Sequence, residues 1–539
     1  MLIILALFAL VSAGLGADLV VENAVIYTLD PKQPVANRMA VRAGRIAAVG
    51  RDAARYEQPG IRRLDLGGRT VVPGFIDSHG HLSGLGDLLE NIDLRHATSV
   101  TAIARMVRDR GGTVRAGEWI RGHAWDQTNW GGAFPTADDL ASAGEHPVFL
   151  KRVDGHAAWV NRRALEIADI TASTPDPPGG RIIRDAAGRP TGVLIDRAQA
   201  LVAKHIPQAS AQQVRDRIAR AARECATLGL TGVHDAGISR ADLDAYRFLV
   251  KAGELPIRIY GMIGGAGELW RDYLARGPEI GEKLTVRSIK LMADGAIGSR
   301  GAAMWQPYSD EPGNTGLLIL TREQIESTAH DAIRRGFQVN THAIGDRANR
   351  IVLDAYGAVL GGRNDKRFRI EHAQVVSLPD FALFAKYDVI ASIQSTHATS
   401  DMRWAAARLG PDRLAGAWAT QRFLRAGVRI ANGSDFPVED PNPLWGLYAA
   451  VTRQEHNGKP PGGFMPDQRL TREQALRSFT IDGAYAAFEE KDKGTLESGK
   501  LADFVVLSHD IIKIAAADLL KTRVLMTVVG GEIVHSSLP

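Results

Sequence analysis

The sequence has 539 residues, of which 45% are hydrophobic and 23% charged, so it is long enough for several packed units of a globular protein. Its 65 basic and 61 acidic residues give a formal charge of +4 and form no basic run, so we expect no nucleic-acid partner. The single cysteine, Cys225, excludes an internal disulfide and a thiolate metal cluster.

The chain begins with an apolar run followed by small residues. This run is too short to span a bilayer comfortably and is typical of a secretory signal. We therefore predict a signal peptide at residues 1–17, cut near Ala13 or Ala17, with export to the periplasm or medium and no membrane span in the mature chain. No basic residue precedes Lys32, so the positive region of a typical signal is missing. A cytoplasmic protein is the alternative.

Both ends of the chain have the pattern of β-structure. Residues 18–70 show period-2 alternation and a hairpin that turns at Ala43-Gly44. Residues 490–539 contain a strand and a second hairpin with a Gly-Gly turn. Because these two ends flank a long middle of different character, we predict that they combine in one discontinuous β-sandwich domain.

The middle of the chain, residues 71–489, alternates short apolar runs with helical patterns, as βα units do. Eight such runs begin at residues 71, 230, 257, 288, 337, 368, 389 and 428. Eight parallel strands fit an α/β protein with a (β/α)₈ TIM barrel. A doubly wound open sheet is the alternative, but it would not need the polar residues at the strand ends to converge on one mouth.

The first two apolar runs are separated by about 150 residues, far more than one βα unit needs. We therefore predict an insertion at about residues 84–226. An insertion at the top of a barrel covers the active site, so we expect it to contribute substrate contacts.

The ends of the predicted barrel strands carry side chains that bind metals. His79 and His81 are two residues apart on one strand, so they point to the same face, and the glycine between them leaves room for an ion. Polar residues follow on four other strands, and they are Lys290, His342, His372 and Asp435. The carboxyl ends of barrel strands face the catalytic mouth, so we expect these side chains to converge there. Such ligands suit zinc, with manganese, iron or cobalt as alternatives.

Lys290 is unusual, because a buried ammonium group is costly and would repel a metal ion. Carbamylation by carbon dioxide would convert the amine into a carboxylate-like group that can bridge two cations. The alternative is an ion pair between Lys290 and a neighbouring carboxylate.

Seven stretches of the chain resemble the amidohydrolase superfamily, and within it the YtcJ-like amidohydrolases. They are residues 73–81, 154–161, 289–295, 341–346, 370–374, 395–401 and 433–435. The resemblance covers nearly the whole mature chain and implies a (β/α)₈ barrel, a flanking β-sandwich and a metal-dependent hydrolase site. Relatives usually carry proline where this chain has Ser395, which affects the expected loop shape rather than the chemistry.

The same resemblance implies a ligand set for two divalent ions, which we expect to be Zn²⁺. One ion would bind His79, His81 and Asp435. The other would bind His342 and His372, and carbamylated Lys290 would bridge the two.

The predicted activity is hydrolysis of a non-peptide carbon–nitrogen bond, an amide in a small organic substrate. A metal ion lowers the pKa of a bound water towards 7, and the resulting hydroxide would attack the carbonyl carbon. Asp435 would accept the proton and pass it to the leaving nitrogen. The same site could act on an ester or lactone, and a non-catalytic regulatory protein could retain the fold. The complete set of expected ligands favours an enzyme. The sequence does not indicate the oligomeric state of the protein, and an oligomer is possible.

Five more residues are predicted to contact the substrate. His156 and His397 lie in polar loops that match the family stretches, and the others are Trp125, Asp294 and Arg347. A structural role is the alternative for each of them. For Arg347 that alternative is an ion pair with Asp346.

Overall fold

The computed structural model of the protein describes residues 18–362 and 364–538. The predicted signal peptide, residues 1–17, lies outside the described residues. None of the helices in the described ranges combines the length and the apolar character needed to cross a membrane.

Eight parallel strands form the central sheet, and each pairs with the next one in the chain. We number them barrel strands 1 to 8, and they are Phe75–Gly80, Leu230–Ile238, Arg258–Gly264, Leu284–Met292, Gln338–Ala343, Arg369–His372, Ile390–Gln394 and Ile430–Gly433. The segment after strand 8 returns to strand 1, since Asp435 N donates to His79 O at 2.7 Å and His81 N donates to Phe436 O at 2.8 Å. The (β/α)₈ barrel predicted from the eight apolar runs is confirmed.

Helices follow the barrel strands, and all of them except Ser395–Leu414 and Ile481–Ala486 contribute to one large apolar core with the sheet. These helices are Leu82–Glu90, Ala211–Thr227, Arg240–Ala252, Glu268–Arg276, Arg322–Arg335, Asp346–Leu360, Phe381–Lys386, Ser395–Leu414, Thr420–Arg425, Pro443–Thr452, Arg472–Ser478 and Ile481–Ala486. Several begin at a capping box, in which a Ser or Thr side chain and the third helical residue bond each other's backbone amides, as at Ser210, Ser239 and Thr321. These caps explain why the helices begin where they do.

Both chain ends join in one mixed sheet. Its strands in chain order are Leu19–Tyr27, Val35–Ala36, Met39–Arg42, Arg45–Val49, Arg62–Pro73, Phe504–Leu507, Val524–Val529 and Glu532–Ser536. The predicted hairpin turn at Ala43-Gly44 is present, and both residues have positive φ. Val21 and Val506 belong to the sheet's own core, whereas Val72 and Val505 belong to the core of the barrel. Residues near both chain ends thus share a single eight-stranded sheet. The β-sandwich domain with bounds 18–70 and 490–539 stays a prediction.

The first apolar run serves two sheets. Its start, Val71–Pro73, ends the terminal-sheet strand Arg62–Pro73, and the barrel strand begins only at Phe75. Gly74 separates them, and a Cβ atom there would lie 2.2 Å from Thr231 Oγ1. Periodicity alone cannot divide this run, because residues 70–73 and 75–80 are all buried and show no alternation.

The segment between barrel strands 1 and 2 folds into a third sheet. Its strands are Ile92–Asp93, Ile120–Trp125, Val148–Arg152, Ala157–Val160, Gly180–Arg184 and Pro190–Asp196, and its helices are Val100–Gly111, Arg162–Ile167 and Ala200–Ala203. Two apolar cores hold it together, one around Trp125 and Trp159 and the other around Phe149 and Leu194. The insertion is thus a folded unit rather than an extended loop.

Candidate active site

Polar side chains from several barrel strands meet at the carboxyl end of the barrel. His79, His372 and Asp435 are buried and place one ligand atom each within 4.8 Å of one another. Lys290 joins them from strand 4, with Nζ 3.4 Å from His79 Nε2. Imidazole nitrogens and a carboxylate at this spacing are a donor set that fits a divalent metal ion.

The two other predicted ligands lie on either side of this group. His81 Nε2 is 3.0 Å from Asp435 Oδ1, and the His81 ring is partly exposed. The His342 ring centroid is 4.6 Å from that of His372. The structure therefore brings all six predicted metal ligands into one cluster.

Hydrogen bonds on the outer side of the imidazole rings leave one nitrogen free to face the cluster. His79 Nδ1 lies 2.5 Å from Glu371 Oε2, and His372 Nδ1 lies 2.8 Å from Gln394 Oε1. Because these oxygens only accept hydrogen bonds, each Nδ1 donates and each Nε2 keeps its lone pair. Metal-binding histidines in proteins are held in this way.

Glu371 is itself fixed by a charge pair inside the barrel. Arg369 Nε donates to Glu371 Oε1 at 2.7 Å, and both side chains are fully buried. Burial by itself would raise the pKa of Glu371, but Arg369 and His79 hold it well below its ordinary value. Burial, with the Lys290 ammonium, lowers the pKa of His79 to about 4 despite the Glu371 charge. The His79 imidazole is therefore neutral at pH 7, as a metal ligand must be.

Lys290 forms no ion pair within the part of the chain that the structure describes. No carboxylate oxygen among the described residues lies within 4.0 Å of its Nζ, so the ion pair considered as the alternative is not formed. Burial lowers the pKa of Lys290, although Glu371 and Asp435 oppose this shift.

Asp435 is held in place by the turn that closes the barrel. The Asp77 carboxylate accepts hydrogen bonds from Ser434 N at 3.1 Å, from Ser434 Oγ at 2.7 Å and from His79 N at 3.0 Å. Burial by itself would raise the pKa of Asp435, but the His79 and His81 rings hold it well below its ordinary value. The buried Asp77 carboxylate therefore positions two predicted ligands, His79 on barrel strand 1 and Asp435 just after barrel strand 8.

A cavity of about 280 Å³ opens above the cluster, and its lining includes the insertion and the helix Ser395–Leu414. His156 and His397, for which substrate contacts are predicted, both line it. His156 Nδ1 is 2.7 Å from Asp196 Oδ1; burial by itself would lower the pKa of His156, but Asp196 and Asp154 raise it. His397 Nε2 is 3.7 Å from Asp435 Oδ2, and no described residue forms a hydrogen bond with it. Both histidines can thus contact a molecule in the cavity.

Trp125 and Arg347 do not line this cavity. Trp125 is fully buried in the core of the insertion, where Nε1 donates to Leu150 O at 2.8 Å, because its large apolar ring packs with Trp159 and Trp130. The Arg347 guanidinium lies 5.7 Å above the ring of Trp305. The geometry therefore does not support the predicted substrate contacts for these two residues.

Asp294 lies behind His342 rather than in the cavity. One carboxylate oxygen accepts from Ala303 N at 2.9 Å and Gly345 N at 2.8 Å, and the other accepts from Ile344 N at 3.0 Å. The second oxygen is also 3.4 Å from His342 Nε2. Asp294 is fully buried, so the structure gives it a positioning role instead of the predicted substrate contact.

Seven charged residues of the cavity wall had no predicted role, and they are Asp126, Arg152, Asp154, Asp401, Arg403, Arg408 and Glu439. Arg152 pairs with Asp154 at 2.6 Å, whereas burial raises the pKa of Asp401 to about 7. Asp154 and Asp401 lie within stretches that carry the family resemblance, and this position was the available signal. The spacing of Asp154 and Asp401 along the chain could not predict that both side chains line the same cavity.

Residues 62–535 match the Amidohydrolase family. The chain belongs to this family. It is 36% identical to Protein LONG AFTER FAR-RED 3 of Arabidopsis thaliana, over 96% of this chain and 92% of the relative. It is 32% identical to YtcJ of Bacillus subtilis (strain 168), over 95% and 98%. It is also 30% identical to the N-substituted formamide deformylase of Arthrobacter pascens, over 95% and 97%.

A solved structure supports the same assignment. An uncharacterized metal-dependent hydrolase from Pyrococcus horikoshii OT3 superimposes with a TM-score of 0.78 and 28% identity, over 92% of this chain and 99% of that one. With the His and Asp cluster, this likeness supports a divalent metal. The protein is therefore a hydrolase, and it is a member of the YtcJ-like amidohydrolases.

Proposed function

We propose that the protein hydrolyses a carbon–nitrogen amide bond in a small organic substrate. The observation that carries the proposal is the buried group of His79, His372 and Asp435 at the floor of a cavity, with Lys290 beside it. A relative named N-substituted formamide deformylase, similar along almost its whole length, supports an amide as the substrate.

The residues fit two divalent ions, for which Zn²⁺ suits the imidazole-rich donors. His79, His81 and Asp435 would hold one ion and His342 and His372 the other, with carbamylated Lys290 between them. Bound there, such ions polarise a carbonyl group and make water more acidic.

Asp435 moves the proton in this proposal. Its pKa lies well below the ordinary value, so it is ionised at pH 7 and can take a proton from the attacking water. The leaving nitrogen must then be protonated, and Asp435 can deliver that proton from the same position. His397 Nε2 is free to donate a hydrogen bond to the carbonyl oxygen as negative charge develops there.

The test is turnover of a substrate panel by the zinc-loaded protein and its Asp435→Asn variant. The panel contains N-substituted formamides, N-acyl amino acids, aryl amides, esters and lactones. We expect amide cleavage with a kcat about 10²- to 10⁴-fold lower in the variant, while its zinc content, measured by elemental analysis, is largely retained. The matched control is Asp216→Asn on an outer helix, which should behave as the parent protein.

Three results would contradict this proposal. If the Asp435→Asn variant turned over amides nearly as fast as the parent protein, the proton-transfer role of Asp435 would be excluded. If the protein cleaved esters or lactones but no amide, the proposed scissile bond would be wrong. If the purified protein held no metal and was inactive on the whole panel, a non-catalytic role would be favoured.

A further inference from the structure

A second cavity adjoins the candidate active site, and its lining contains no residue of the insertion. Its volume is about 750 Å³, and it shares His81, Lys290 and Met292 with the cavity already described. A substrate whose reacting bond lies at the cluster can therefore extend into both spaces.

Backbone with almost no side chains forms one wall of the second cavity. The segments that follow barrel strands 2 and 3 contribute Ala236, Gly237, Gly264, Gly265 and Ala266. A Cβ atom added at Gly237 or Gly265 would meet no atom within 4 Å, so the absence of side chains keeps this space open.

Apolar side chains form the facing wall, namely Leu291, Met292, Ile319 and Leu320, and the helix Arg322–Arg335 adds polar groups. We call the space between these two walls the apolar groove. Met292 is 38% exposed and Ile319 46% exposed, which is unusual for large apolar side chains beside a catalytic cluster. Burying them against a ligand would be favourable.

The two cavities differ in chemistry. The first is lined by several charged side chains, among them Arg152, Asp154, Asp401 and Glu439. In the groove lining, apart from the shared Lys290 and His81, the charged side chain is Glu323, and the walls carry Leu291, Ile319, Leu320 and three glycines. A hydrocarbon group placed among those charges would strip water from them at a cost, but in the groove it would gain apolar contacts.

We propose that the apolar groove binds a hydrocarbon substituent on one side of the scissile bond, so that the preferred substrate is an amide with an extended alkyl or aryl group. This inference rests on the proposed amide hydrolysis and names its substrate class. The groove continues directly from Lys290 and His81, so the substituent would begin at the reacting group itself.

The test uses two straight-chain series, N-alkylformamides with the chain on nitrogen and N-methylalkanamides with the chain on carbon, each from one to eight carbons. For one series we expect kcat/KM to rise roughly two- to fourfold for each methylene group that enters the groove. The series that shows this rise identifies the side of the bond that the groove serves. A flat profile in both series would overturn the proposal.

Variants show whether the groove causes the dependence. Ile319→Asp places a charge on its wall, and Ala266→Trp fills it from an exposed position, so each should flatten the rise with chain length. The matched control is Leu317→Asp, two residues from Ile319 on the same loop, 60% exposed and outside the groove lining. A rise unchanged by both groove variants would also overturn the proposal.

Measured dissociation constants can distinguish a failure of the groove proposal from a failure of the proposed amide hydrolysis. The same series is titrated by calorimetry against Asp435→Asn, and we expect Kd to fall two- to fourfold per methylene. If Kd falls with chain length but the parent protein cleaves no amide, the groove proposal is supported and the proposed amide hydrolysis is wrong. If amides are cleaved but neither kcat/KM nor Kd changes with chain length, the groove proposal fails alone.

Discussion

Lys290 is the one amine among the six clustered residues, and it is buried. Only an uncharged amine reacts with carbon dioxide, and burial lowers the pKa of Lys290 towards that form. The neighbouring Glu371 and Asp435 carboxylates oppose the shift, yet neither pairs with Nζ within 4.0 Å. The side chain thus lies beside the predicted metal ligands, and burial shifts its pKa in the direction that favours the uncharged amine.

We predict that Lys290 carries a carbamate. Protein equilibrated with ¹³C-labelled bicarbonate and zinc should show one slowly exchanging carbamate resonance by ¹³C NMR. Lys290→Gln should abolish this signal, whereas Lys283→Gln should retain it, because Lys283 is also partly buried but donates to Pro256 O at 3.1 Å. A signal that survives in Lys290→Gln would assign the carbamate to another lysine.

At the scale of elements, the loop after barrel strand 4 is held by one carboxylate. Asp294 accepts hydrogen bonds from Ala303 in its own loop and from Ile344 and Gly345 after strand 5. These bonds join two connections that the sequence separates by about 50 residues. They also fix the ring of His342, which lies against the same carboxylate.

Replacing Asp294 with alanine should therefore weaken both the fold and the metal site. Three buried amides would lose their acceptor, so we expect a loss of at least about 2 kcal/mol in unfolding free energy, together with weaker zinc binding. Thermal melts and chelator competition measure these effects, with Glu311→Ala in the same loop as a half-exposed control. If Asp294→Asn raised KM without changing Tm or zinc affinity, a substrate contact would be the better account.

At the scale of the whole molecule, a buried ion pair joins the barrel to the sheet of the chain ends. Arg258 on barrel strand 3 donates from Nε to Asp503 Oδ2 at 2.8 Å, and both side chains are 3% exposed. Asp503 Oδ1 also accepts from Gly530 N at 2.7 Å. Burial by itself would raise the pKa of Asp503, but Arg258 lowers it below the ordinary value.

We expect Asp503→Asn to destabilise the protein by about 3 kcal/mol or more at pH 7, because it leaves the Arg258 charge buried without a partner. The lowered pKa means that this stabilisation is present above the ordinary aspartate pKa of about 4 and is lost as the pH falls through the folded-state value. The difference in Tm between parent and variant should narrow below about pH 4. Asp492→Asn, which removes the exposed pair with Arg45, should cost less than about 1 kcal/mol. Equal effects of the two substitutions would contradict this account.

The barrel and much of the metal cluster follow from local features of the sequence. His79 and His81 are predicted to lie together because side chains two residues apart on a strand share a face, although the strand ends at Gly80 and His81 follows it. The eight apolar runs predict eight parallel strands because helical patterns alternate with them. Hairpin turns need residues that accept positive φ, which is why Ala43-Gly44 was recognisable. These properties depend on neighbours a few residues away.

Only the tertiary structure decided which polar residues share a space. Trp125 and Asp294 were predicted to contact the substrate, but Trp125 is buried in the core of the insertion and the Asp294 carboxylate accepts hydrogen bonds from backbone amides. The apolar groove is formed by Gly237, Gly265 and Ile319, which come from three separate connections. Burial and hydrogen-bond partners are set by distances between remote segments, and no local pattern in the chain contains those distances.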